Sequence, residues 1–301
     1  MNVQALLRPV AKGAGRVVLR EPEKEEAAEI GGLLHRAFTE FQTSHGFSSD
    51  FETSEGATQY AAAMIDDPLC YAVVAIQDSR IVGVNFLSEG DPIRGVGPIA
   101  VAPDADDAGI GRKLMYDVIE RGGDAAGVRL LQDSFNLKSL ALYTTLGFRA
   151  REPYVVLKGR LEDMPRPDRI VRPMEPKDLP HVTALSFDLT GFPRGSEVRR
   201  ALSDGAPHVV IRDGRVTGYT TDLGSWAGGH ALAGTEDDFR ALLLGVNDAD
   251  PQPLQFLFPT RRSSLFRWLL SEGMRAEKQM LLMTRGAYRE PGGIYLPSVL
   301  Y

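Results

Sequence analysis

The stretch Val101–Gly123, VAPDADDAGIGRKLMYDVIERGG, limits what this chain can fold into more than any other. The apolar run RGVGPIAVAP before it reads as a strand, and AGIGRKLMYDVIERGG reads as an amphipathic helix that stops at glycines. A strand feeding directly into a helix leaves the first helical N–H groups without intrahelical acceptors, and the aligned peptide dipoles place about half a positive charge there. An anion is the natural guest of such a joint. Gly109 and Gly111 remove side chains where a phosphate must approach the backbone, and Arg112 and Lys113 add cationic reach.

The rest of the chain narrows the setting. Its 301 residues fit two domains of ordinary size, and 43% hydrophobic with 25% charged residues is the balance of a globular protein rather than a disordered one. With 34 basic against 40 acidic residues the net charge is −6, the wrong sign for a chain whose affinity comes from nucleic-acid phosphates. The single cysteine, Cys70, excludes an intrachain disulfide and a multi-cysteine metal site, and no Cys/His/Asp spacing suggests a metal. Neither a signal peptide nor an apolar run of membrane-spanning length is apparent, so the expected location is the cytoplasm, with no membrane partner.

Periodicity predicts a strand and helix over RVVLREPEKEEAAEIGGLLHRAF, a second helix in GATQYAAAMIDD, and a hairpin in CYAVVAIQDSRIVGVNFL. Beyond the joint come a strand at VRLLQDSF, a helix at LKSLALYTTLGF and a strand at YVVLKGRL. Four prolines and mixed charges near residue 165 mark a linker. After it the order restarts: RIVRPMEPKDLPHVTALSF follows the plan of the opening unit, and HVVIRDGRVTGYTTDL parallels the earlier hairpin in its turn charges and its glycine. The predicted class is α/β (α+β), with domains at 15–163 and 170–301, each a twisted, mixed but mainly antiparallel sheet flanked by helices.

Two motifs in order carry a resemblance. VAPDADDAGIGRKLM resembles the pyrophosphate loop of the GNAT superfamily of N-acyltransferases, V-x-P, a short variable stretch, then Q/R-x-x-G-x-G/A opening a helix. NLKSLALYTTLGFRAREPYVVL resembles the same superfamily's N-x-x-A-x-x-x-Y-x-x-x-G-F segment and last strand. The resemblance implies acetyl-CoA as co-substrate and no metal. Main-chain groups of Ile99, Ala100 and Val101 would align the pantetheine arm, and N–H groups of Ala108, Gly109, Ile110, Gly111 and Arg112 would hold the pyrophosphate, with Lys113 beside them. Asn136 and Tyr143 would lie by the thioester. One departure stands out: Asp106 occupies the family's Gln/Arg position, and Asp104 and Asp107 add negative charge beside an anion site.

Acylation of an amine by a thioester needs a neutral amine, a polarised carbonyl and a proton for the leaving thiolate. Tyr143 is the candidate acid. Asp133, Glu89 and His45 are all conceivable bases, and the residues alone do not separate them. His35, Phe38, Phe41 and Phe47 border the same region and read as helix-surface or core residues. In the second half the equivalent of the loop, ALAGTEDDFRALLLGV, lacks both V-x-P and G-x-G, with Thr235 and Asp238 reading as a helix cap. That half resembles the C-terminal, GNAT-like half of tandem acetyltransferases, where Trp268 takes the slot of Tyr143. The end GGIYLPSVLY is expected to tuck into an interface. The function this implies is an acyl-CoA-dependent N-acyltransferase acting by direct attack of a small-molecule or peptide amine. The alternative is a CoA-binding regulatory or scaffolding protein without turnover.

Overall fold

The computed structural model describes residues 16–162 and 168–300 and, at 106–108, the backbone alone. The first half runs β1 (Val18–Arg20), α1 (Ala27–Ser44), α2 (Ser54–Asp66), β2 (Cys70–Gln77), β3 (Arg80–Ser88), β4 (Ile93–Val96), β5 (Ala100–Val101), α3 (Ile110–Arg121), β6 (Gly127–Asp133), α4 (Leu137–Thr145) and β7 (Arg149–Gly159). The second runs β8 (Ile170–Pro173), α5 (Leu179–Thr190), α6 (Gly195–Asp204), β9 (His208–Arg212), β10 (Arg215–Thr220), β11 (Ala231–Ala233), α7 (Glu236–Ala249), β12 (Leu254–Pro259), α8 (Ser263–Ser271), β13 (Arg275–Gly286) and β14 (Ile294–Leu296). The expected linker near residue 165 falls at 163–167, outside the described residues. The chain forms two compact units, one reaching to Leu87 and including Gly97–Gly123, the other Ser88–Val96 with Asp124 onward.

In the first unit β1, β2 and β3 lie in order, with β5 on β3. The β2–β3 turn places Asp78 and Ser79 at φ 51° and 62°, the left-handed pair a two-residue hairpin needs to match strand twist. Helix α1 turns Ile30, Leu33 and Leu34 fully inward, as the 3.6-residue spacing predicts. Thr53 caps α2 by accepting from Gly56 N–H at 3.0 Å. The single strand expected over RGVGPIAVAP is two short ones, β4 and β5. Pro98 between them has no N–H to give a ladder, and Gly97 N–H instead donates to Phe86 O at 2.9 Å.

The second unit holds two sheets, ordered β4-β6-β13-β7-β12 and β14-β11-β10-β9-β8. Strands β4 and β6 are parallel, with Arg94 opposite Val128, while β13 runs antiparallel to both neighbours, with Met280 opposite Asp133 on β6 and opposite Tyr154 on β7. Strand β7 in turn pairs with β12, Val156 facing Leu257. Each half of the chain therefore lends its last long strand to the other: β13 separates β6 from β7, and β7 separates β13 from β12. Both exchanged strands are buried along their middles, which is what a central strand covered on both faces requires. The β9–β10 hairpin has the same kind of turn as β2–β3, its residues Asp213 and Gly214 at φ 51° and 73°.

The chain end is built into this unit. Strand β14 pairs with β11, Leu232 opposite Tyr295. Buried Arg194 donates to the Tyr295 hydroxyl, to Glu197 and, at 3.0 Å, to Ser298. Beyond it, a Cβ on Gly95 of β4 would fall 1.8 Å from Leu300 O, so the tail backbone lies directly on β4. Tyr301, the last residue of the expected tucked end, lies outside the described residues.

Candidate active site

Within the first unit the joint is assembled as its sequence implies. Strand β5 pairs with β3, Val84 opposite Ala100 and Gly83 opposite Val101, and Ala102 N–H adds a bond to Val82 O at 2.9 Å. Ile99 immediately precedes this ladder. Residues Pro103–Ala108 form a tight 3-10 turn, then Gly109 takes φ 68° and ψ 22°, a left-handed conformation that costs a residue with a Cβ roughly 1 kcal/mol. Open space surrounds the position where that Cβ would stand. Helix α3 begins at Ile110, and Lys113 N–H donates to Gly109 O at 3.2 Å.

The N-cap position is Gly109, which has no side chain to cap that helix start. Side chains cap α2, α4 and α7, through Thr53, Asn136 and Thr235, whereas α1, α5, α6 and α8 share the lack of a side-chain cap, so what marks the start of α3 is the left-handed glycine before it. The main-chain N–H groups of Ile110 and Gly111 lie in the first turn of the helix, at the positive end of its dipole. A diphosphate fits such a cradle, since the donors are backbone and the glycine leaves room for approach. Arg112 and Lys113 are half-buried just inside the helix. Of the acidic residues in the turn, Asp104 is paired with Arg80 at 2.8 Å, and that hydrogen bond holds its carboxyl below the usual range. The side chains of Asp106, Asp107 and Ala108 lie outside the described residues.

The helix is seated firmly. A Cβ on Gly83 would meet Ile110 Cγ2 and Leu114 Cδ1, both at 2.9 Å, so a side chain there would have to displace these two side chains of α3. At the far end Tyr71 donates to Asp117 at 2.8 Å while Arg121 lies over its ring.

In the second unit, the turn from β6 into α4 holds the other two predicted residues. Asn136 is the N-cap of α4, its Oδ1 accepting from Ser139 N–H at 2.9 Å, and its own N–H donates to Asp133 O at 2.9 Å. Tyr143 is 5% exposed. Burial pushes its phenol up to about 12, a hydrogen bond with Ser139 works the other way, and the charge of Asp133 adds to the rise. The phenol is thus a proton donor rather than a base at neutral pH. Phe148 packs on it, ring centroids 6.2 Å apart.

Other candidates take local roles. His35 Nδ1 lies 2.8 Å from Phe51 O and His45 Nδ1 2.8 Å from Phe41 O, while Phe38 packs edge-on against Phe51. In the second half Thr235 accepts from Asp238 N–H at 3.2 Å, closing the helix start that corresponds to the open one. Trp268 packs against the core with Arg240 over its ring. Sequence reasoning missed Lys278, which β13 carries to Asp133. Along the chain it is one of several charged residues at the start of β13, with Arg275 and Glu277, and nothing local sets it apart. Among the described residues no group of three or more His, Cys, Asp or Glu could hold a metal ion, and no helix is long and apolar enough to cross a membrane.

The acetyltransferase (GNAT) family model matches residues 33–148, a span that includes both motifs. A candidate acetyltransferase from Pyrococcus horikoshii shares the fold with a TM-score of 0.71 at 14% identity, covering 93% of this chain and 92% of its own. A GCN5-related N-acetyltransferase from Sphaerobacter thermophilus does so at 0.59 and 15% identity, covering 91% and 96%. One from Anabaena variabilis gives 0.56 at 11%, covering 90% and 72%. No curated protein matched the chain. Residues 33–148 thus match the acetyltransferase (GNAT) family model, and across both halves the chain shares its fold with these solved structures.

Proposed function

We infer that the protein is an acyl-CoA-dependent N-acyltransferase that moves acetyl from acetyl-CoA to a primary amine of a small molecule or peptide, in the cytoplasm. The observation that carries this reading is the start of α3: a glycine N-cap, Gly109, in the left-handed conformation, with the backbone N–H groups of Ile110 and Gly111 in the first turn behind it. In this reading the amides from Ala108 to Arg112 hold the diphosphate with Lys113 nearby, and main-chain groups of Ile99, Ala100 and Val101 align the pantetheine. Asn136 stiffens the turn beside the thioester. The amine nitrogen attacks the carbonyl carbon, the C–N bond forms as the C–S bond breaks, the nitrogen loses a proton to water, and the thiolate takes one from Tyr143.

The second half is read as a worn copy of the same domain. Its strand exchange with the first half, the repeated hairpin geometry and the capped helix at Thr235 support a copy that has lost cofactor binding. One observation favours a second reading, a CoA-binding regulatory protein without turnover: the Tyr143 phenol is fully enclosed and the Asn136 oxygen is spent on a helix cap. Thiol release from acetyl-CoA over a panel of amines separates the two. Turnover that collapses in Tyr143→Phe supports the enzyme, and saturable CoA binding with no thiol release from any amine supports the regulatory reading.

A further inference from the structure

The exchange of strands carries a charged side chain from the far half of the chain to the turn that holds Asn136. Lys278 Nζ stands 2.8 Å from Asp133 Oδ1, with the two side chains 7% and 9% exposed. The Trp226 ring centroid is 4.8 Å from the ammonium. Backbone bonds fix the same spot: Ser134 N–H donates to Gln279 O at 3.0 Å, and Asn136 N–H to Asp133 O. Asp133 is near enough to Tyr143 for its charge to act on the phenol.

A buried ion pair is costly to desolvate, and an apolar pair of similar volume often serves stability as well or better. The location gives this one a purpose. In thioester aminolysis negative charge develops on the carbonyl oxygen and then on sulfur, and in a low-dielectric site an uncompensated carboxylate nearby opposes it strongly.

We propose that Lys278 is a positioning residue of the acetyl-transfer site, supplied by the second half of the chain, whose ammonium balances the Asp133 carboxylate at the turn that holds Asn136. This rests on the acetyltransferase reading above. It gives the second half a chemical role that loss of its own phosphate loop does not remove.

The test compares the full-length wild type with Lys278→Met and with the charge-free pair Asp133→Asn/Lys278→Met, measuring kcat, KM for acetyl-CoA, and the amide resonances of Asn136 and Ser139. Lys278→Met is expected to lower kcat about 10-fold or more with KM changed less than about 3-fold, and the double variant to return kcat to within about 3-fold of wild type, because no unpaired carboxylate remains. Wild-type kcat in Lys278→Met overturns the proposal. So does a folded double variant as slow as the single, the signature of lost packing. If Lys278→Met does not fold, the double variant decides alone by the same limits. If the wild type turns over no amine, the function reading fails separately, and the resonances decide: shifts in Lys278→Met that the double variant reverses support the proposal, and unmoved resonances overturn it.

Discussion

Gly83 and Leu114 are in van der Waals contact across the β3–α3 interface, so close that a Cβ on the glycine would lie 2.9 Å from Leu114 Cδ1. The N-terminal end of α3 is therefore aimed by the strand beneath it. The same device recurs at Gly218 of β10, where a Cβ would meet Val210 Cγ1 at 2.8 Å and Leu232 O at 2.9 Å.

Replacing Gly83 by valine forces α3 off β3. Overpacking of this kind costs about 1–3 kcal/mol. A fall in the urea midpoint together with weaker acetyl-CoA binding is expected, and an unchanged midpoint would show that α3 is not held at this contact.

Gly109→Ala probes the joint itself. Its φ of 68° penalises any side chain by roughly 1 kcal/mol, although space for the methyl is open. The expected result is a small loss of stability with a several-fold rise in the Kd for acetyl-CoA, read by calorimetry, since the strain is relieved by turning the amides away.

Tyr143→Phe removes the proposed acid and little packing. A loss of about 10²- to 10⁴-fold in kcat is expected with a nearly unchanged Kd for acetyl-CoA. Because burial holds the phenol at about 12, it stays protonated through neutral pH, and its deprotonation cuts the wild-type rate only as pH approaches that value. A rate limb in the wild type near pH 8 that vanishes in Tyr143→Phe would contradict this assignment.

The Arg194–Glu197–His230 cluster predicts acid sensitivity. Burial opposes ionisation of Glu197, but the charges of Arg194 and His230 with hydrogen bonds from His230 and Ser298 outweigh it and hold the carboxyl at about 2. Its contribution is complete above the unfolded value near 4.5 and is lost as pH falls toward 2, on the order of 3 kcal/mol in all. Burial also lowers the His230 pKa, with the Arg194 charge acting the same way against Glu197. The unfolded chain then takes up the histidine's proton first, and stability begins to fall below about pH 6.5. Urea unfolding at pH 7, 5 and 3 checks both, and a flat profile would refute them.

Much of this was readable along the chain. The strand–turn–helix joint, its glycines and the Asn136–Tyr143 segment are local patterns, and local sterics enforce them: Gly109 is left-handed because the helix must start there. The repeat was visible for the same reason, since Asp78-Ser79 and Asp213-Gly214 each specify a tight turn. The exchange of β7 and β13 was not. Both are central apolar strands, and nothing in either sequence says which neighbour it will pair with, because register is set by contacts more than a hundred residues away. Lys278 was missed with it, its partner Asp133 lying in the other half. The split between β4 and β5 turns on Pro98, which lies inside an otherwise uninterrupted apolar run.

The central claim is that the uncapped start of α3 grips a nucleotide thioester through main-chain amides, and titration calorimetry of the full chain with acetyl-CoA tests it most directly. Saturable one-to-one heat is predicted, with a Kd between about 1 μM and 1 mM, weakened by Gly109→Ala. A folded protein that gives no heat at millimolar acetyl-CoA would contradict it.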